Sequence, residues 1–167
     1  MNAIAEALSS TLPSQIGLLT VTVRLVAAAI LGLLIGIDRE VRNHPAGMRT
    51  HMLVSVAAAT FTVLTFEVME RARDGSNADP IRIIEAVTAG VAFLAAGTII
   101  QARGRVQGLT SGAGLWLSGA IGLACGLGEL AIAGIVTALG LFILAVLHRA
   151  EGLFFRGGGT GKDDGRD

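Results

Sequence analysis

The sequence predicts an all-α, polytopic helical membrane protein with five transmembrane helices, its N-terminus outside and its C-terminus cytoplasmic. Three observations carry that expectation: composition, the number of long apolar runs, and the side on which arginines collect. Of 167 residues, 52% are hydrophobic and 16% charged, whereas a soluble domain carries roughly 25% charged residues. An ordinary water-soluble enzyme and a disordered chain are both excluded on those grounds. The 13 basic and 13 acidic side chains cancel, so no positive field exists to hold nucleic acid. A single Cys builds no internal disulfide.

A helix needs roughly 20 apolar residues to cross a bilayer core about 30 Å thick. Five runs meet that need to within a few residues: 18–37, 52–68, 83–100, 109–127 and 130–147. Glu67 and Glu85 shorten the second and third. The first run is expected to stay in the mature protein, because no Lys or Arg precedes it and no A-x-A site follows. Residues 1–17 form an N-terminal segment in which Ile4, Leu8 and Leu12 recur every four residues. That spacing suits an interfacial helix, with a frayed terminus as the alternative. Asp79-Pro80 supplies a helix start for the third run, after a loop through Asp74-Gly75-Ser76-Asn77. The membrane domain is placed at 18–148, and the glycine-rich, charged stretch 149–167 is expected to be a disordered tail.

Orientation follows from Lys and Arg, which stay on the cytoplasmic side of span ends. Arg39, Arg42 and Arg49 flank the first bend, Arg103 and Arg105 lie in the third, and Arg149, Arg156, Lys162 and Arg166 fall in the tail. The opposite side holds Arg71, Arg73 and Arg82. Nine against three turns the tail inward.

Helices associate in lipid where small side chains permit close approach. Ala28, Gly32 and Gly36 in span one, and Gly114, Ser118, Gly122 and Gly126 in span four, each recur every four residues and share a helix face. These stripes are the expected contacts, either within the chain or with a second copy. The glycine pairs Gly36/Gly47 and Gly97/Gly108 are both eleven apart, with Arg42 and Arg103 at matching positions. A duplicated hairpin and two similar turns both explain that echo.

Arg24 sits six residues into span one, about 9 Å along the helix. An ionisable group there is either paired or snorkelling, or it is functional, and Glu67 and Glu85 are the partners expected for it. The bend 38–51 is the most polar ordered stretch. Asp38 and Glu40 with His44 or His51 lack a recognised metal-ligand spacing. Cys125 has no His nearby in sequence, and no nucleophile–base set emerges. No Asp or Glu lies at mid-span, which counts against a proton-coupled or cation-coupled carrier. No catalytic, cofactor or metal residues are assigned.

The stretch from Gly32 through Gly36, Asp38, Arg39 and Glu40, then Ala46-Gly47-Met48-Arg49-Thr50-His51, resembles the opening signature of the MgtC/SapB family of bacterial inner-membrane proteins. A second block strengthens it: Asp79-Pro80-Ile81-Arg82, Gly90 to Gly97, and Gly108-Leu109-Thr110 through Trp116 and on to Gly128. The family usually has Gly-Leu-Asn/Thr-Thr-Ala where this chain has Gly108-Leu109-Thr110-Ser111-Gly112.

The resemblance implies a non-enzymatic, five-helix domain in the inner membrane, tied to adaptation to low magnesium, acid stress or survival inside host cells. The family's namesake resembles a regulator of the membrane sector of F-type ATP synthase, and it carries a soluble domain after the last span. The expected working parts are therefore Asp38, Arg39, Gly47, Arg49 and Thr50 at one bend, with Gly108, Leu109, Thr110 and Trp116 on the other hairpin. They would act through contacts with a second copy, as a homo-oligomer, or with another membrane protein. An oligomeric channel or carrier for Mg²⁺ or another small solute is the alternative.

Overall fold

A computed structural model describes residues 16–71, 79–102 and 105–154. Five long helices fill it: α1 (Leu18–Val41), α2 (Met48–Arg71), α3 (Ile81–Gly97), α4 (Leu109–Leu127) and α5 (Leu130–Phe154). Two short antiparallel strands, β1 (Ile100–Ala102) and β2 (Arg105–Gln107), connect α3 to α4, with Gln101 opposite Val106. The expected interfacial helix and the Gly157–Asp167 tail lie outside the described residues.

Helix ends follow from local chemistry. After α1, Asn43 adopts φ 55°, His44 N–H donates to the Arg39 carbonyl and Asn43 N–H to that of Glu40. That is a Schellman stop, with asparagine in the left-handed position. Gly128, at φ 91°, ends α4 the same way, through Glu129 N–H to Ala124 and Gly128 N–H to Cys125. At the start of α3 the Asp79 carboxylate accepts from Ile81 N–H at 2.9 Å, ahead of Pro80 in the first turn.

Several expected boundaries move. Helix α2 starts at Met48 rather than 52: its first turn carries the exposed, polar Arg49 and Thr50, which lower the hydropathy of a window without stopping the helix. Helix α3 stops at Gly97, and the backbone then enters the β hairpin instead of a plain turn. Helix α5 runs on to Phe154, past the expected boundary at 148. Among the described residues, three helices are long and apolar enough to cross a membrane: Leu18–Val41, Met48–Glu70 and Leu109–Leu127. Helix α3 has 17 residues, about 26 Å of helix, at the lower limit for the bilayer core.

Helix α2 lies between α1 and α4, and α4 touches all four other helices. Helices α2 and α4 run parallel, since Gly114 faces His51 and Gly126 faces Thr62. Helix α1 runs antiparallel to both, with Gly36 on Met48 and Arg24 at the far end by Gly126. The buried apolar side chains fall into two groups. Val54, Ala58, Val87, Val91, Leu115 and Leu123 join α2, α3 and α4. Ala28, Ile35, Ala59, Ile121, Cys125 and Ala133 join α1, α2, α4 and α5. Large apolar side chains such as Phe93, Ile135 and Phe142 cover the outside, as befits a protein solvated by lipid.

Candidate functional site at the Asn43 corner

The end of the bundle that carries the α1–α2 corner is where polar chemistry concentrates. In the last turn of α1, Asp38 Oδ1 accepts from both Nε and Nη2 of Arg42 at 2.9 Å. Glu40 reaches forward and its Oε2 accepts from Met48 N–H at 3.1 Å. A carboxylate thus sits on the positive end of α2. Gly47 makes that contact possible, because a Cβ there would overlap the Glu40 carboxylate.

Behind this cap the helices close tightly. A Cβ on Gly36 would stand 2.6 Å from Met48 Cα, and one on Gly32 2.8 Å from the His51 carbonyl oxygen. On the other side of α2, a Cβ on Gly122 would overlap the Ser55 carbonyl, and one on Gly126 would stand 2.6 Å from Thr62 Cβ. Both small-residue stripes therefore close onto α2 of the same chain. Ala28 and Ser118 are buried with them.

Inside that packing lies a polar seam. His51 is fully buried, and its Nδ1 is 2.9 Å from the Gly47 carbonyl. A carbonyl only accepts, so Nδ1 carries a proton, and in the neutral ring the lone pair is then on Nε2. That Nε2 points at Gly114, 3.1 Å from where a Cβ would be. Among the described residues, the buried side-chain atoms without a hydrogen-bond partner are Asp38 Oδ2, Arg39 Nε and Nη2, His51 Nε2, and the hydroxyls of Ser55, Ser111 and Ser118. All seven belong to α1, α2 or α4. Arg39, 2% exposed, and Asp38 are the charged residues among them.

Of the residues expected to work together, Asp38, Arg39 and Gly47 meet at this corner. Arg49 and Thr50 follow them on the first turn of α2 but are exposed, as are Leu109, Thr110 and Trp116 on α4. Gly108 occupies a left-handed position, φ 89°, where a Cβ would overlap the Thr98 carbonyl. His51, Ser55 and Ser111 were not expected in the site as a set. Their signal is a polar residue recurring on an otherwise small or apolar face, His51 to Ser55 and Ser111 to Ser118, which marks the interior of a bundle. Among the described residues no group of three or more His, Cys, Asp or Glu is placed to hold a metal ion.

The intramembrane charges separate. Arg24 Nη1 donates to the Gly126 carbonyl at 2.8 Å, so it serves the C-terminal end of α4 rather than the expected carboxylates. Glu67, 7% exposed, accepts from Ile16 N–H at 2.9 Å, and Glu85 is exposed on α3.

The family model for MgtC matches residues 25–153, a span that includes the whole corner. The chain belongs to the MgtC family. It is 39% identical over 122 residues to Protein MgtC of Brucella abortus (strain 2308), covering 73% of this chain and 48% of that protein. It is 37% identical over 133 residues to the putative magnesium transporter YhiD of Escherichia coli (strain K12), covering 76% and 60%. Protein MgtC of Salmonella typhimurium (strain LT2) is 40% identical over 105 residues, 63% of this chain and 42% of that one. The chain thus spans about half the length of these MgtC relatives. No solved structure matches. As an MgtC-family member with membrane-length helices, it is a multi-pass protein of the bacterial inner membrane.

Proposed function

We propose that this MgtC-family chain is a non-enzymatic membrane regulator of Mg²⁺ or ion and energy homeostasis. In this reading all five helices cross the bilayer, the N-terminus is outside, and the Asn43 corner and the C-terminus face the cytoplasm. The observation that carries it is the likeness to MgtC proteins across the corner and both hairpins. Packing supports it as well. The glycine stripes are consumed within the chain, so an external partner meets the outward residues Arg49, Thr50, Leu109 and Trp116 instead. The partner is a second copy or another membrane protein such as F-type ATP synthase.

Arg49→Ala tests this directly, because an exposed side chain at a helix start is removed with little effect on folding. The variant is expected to reach the membrane at the normal level yet fail to restore growth in low-magnesium medium to a host lacking its own copy. Full restoration would remove Arg49 from the working surface.

A second reading is an oligomeric channel or carrier for Mg²⁺ or another small solute, favoured by the description of the Escherichia coli relative as a putative magnesium transporter. Reconstitution of the pure chain into liposomes separates the two. Mg²⁺ flux supports transport; silence, together with co-purification of a membrane partner, supports regulation.

A further inference from the structure

We propose that the Asn43 corner binds a phosphate group, free or as a monoester or diester, on the Nε–Nη2 edge of Arg39. The inference is independent of whether the chain regulates or transports.

Its starting point is which atoms of Arg39 are unused. The guanidinium is 2% exposed, and the two nitrogens without partners are Nε and Nη2. Those two N–H bonds leave the same edge of the planar group side by side. That edge is the fork that takes two oxygens of one carboxylate or phosphate. A buried charge with an unpaired fork is costly, and an anion of matching shape removes the cost. Asp38 does not fill it: its Oδ1 is held by Arg42 and its Oδ2 has no hydrogen-bond partner.

The surrounding field favours an anion. Helices α2 and α4 both begin at this end, and helix starts carry positive partial charge. Glu40 covers the start of α2, but the first turn of α4 has neither an acidic residue nor a side-chain cap. Ser111 lies in that turn with its buried hydroxyl unpartnered. The corner 38–49 carries Arg39, Arg42 and Arg49 against the carboxylates Asp38 and Glu40, with His44 beside them. Two unpartnered acceptors remain, Asp38 Oδ2 and His51 Nε2. They would repel a fully ionised anion unless a proton lay between, and the hydroxyl of hydrogen phosphate, or a water held by the phosphate group, supplies it.

The test uses the full chain, purified and delipidated in detergent, with thermal unfolding followed as sodium phosphate replaces sodium chloride at constant ionic strength. Saturable stabilisation by phosphate is expected. Arg39→Lys, which keeps the charge but not the fork, should weaken the apparent affinity at least tenfold. Arg82→Lys, on the exposed start of α3, should leave it unchanged. Equal responses to phosphate and chloride, or an Arg39→Lys response equal to wild type, would overturn the proposal. Hydrogen–deuterium exchange of the wild type provides a readout independent of variant folding. Phosphate should slow exchange over residues 38–51 and at the start of α4 while leaving residues 124–129 alone, and no slowing at the corner would equally overturn it. Adding phosphatidylglycerol in mixed micelles identifies the source. Loss of the phosphate response means a lipid headgroup already occupies the fork, and retention means the occupant is dissolved phosphate.

Discussion

Gly122 and Gly134 show how differently one residue type is used along this chain. A Cβ on Gly122 would overlap the Ser55 carbonyl, which is backbone and does not yield, whereas Gly134 has nothing within 4 Å of that position. Gly122→Val is therefore expected to cost about 2–3 kcal/mol, the upper part of the range for overpacking a core. Gly134→Ala should stay within about 0.5 kcal/mol of wild type. Detergent-induced unfolding of the purified variants measures both, and equal stability of the two would refute the α2–α4 contact. The stripe spacing in the sequence already picks out Gly122, but it gives no hint that the obstacle is a carbonyl of α2. His51 was legible only as a polar residue near a bend. Its burial against Gly114 depends on how two helices 63 residues apart are aligned.

Helix α4 is the element on which the others depend, and Arg24 ties its far end to α1. The guanidinium donates to the Gly126 carbonyl, and Gly128 leaves room for it, since a Cβ there would stand 2.8 Å from Nη2. A cation on the last carbonyls of a helix is favoured by the helix dipole and by a charge-assisted hydrogen bond. Because Arg24 is only part-buried, the loss expected for Arg24→Leu is about 1–2 kcal/mol after allowance for solvent screening. Faster amide exchange at residues 124–129 would accompany it, and Arg24→Lys should recover most of the protection. Unchanged exchange in the leucine variant would show that the hydrogen bond does not hold the helix end. From sequence alone, Arg24 calls for a carboxylate, because the carbonyls that satisfy it have no identity in a list of side chains. The start of α3 was more legible. Asp79-Pro80 is a local signal, and Asp79 does cap Ile81.

For the molecule as a whole, the arrangement of α1, α2 and α4 makes Asn43 and Gln107 neighbours of one end and Glu129 of the other. With the nine-to-three asymmetry of Lys and Arg, the expected result of single-cysteine labelling is specific. Asn43→Cys and Gln107→Cys should react with a membrane-impermeant maleimide only after cells are opened, and Glu129→Cys should react in intact cells. The native Cys125 is fully buried and gives little background. The reverse pattern would invert the topology and place the Arg39 fork outside the cell.

What the sequence by itself determined is the class and kinship of this protein: a helical inner-membrane chain of the MgtC family, with its Gly36-Ile37-Asp38-Arg39-Glu40 bend and its small-residue faces. Those properties are local or additive, since apolar length, helix periodicity and motif order can all be summed along one dimension. Only the tertiary structure decided that the small faces of α1 and α4 both close on α2, that Arg24 ends a helix, and that Arg39 and His51 share a buried polar seam. Each of those depends on the relative register of distant helices. A shift of one residue turns a helix face by about 100°, and no pattern within a single helix specifies that register.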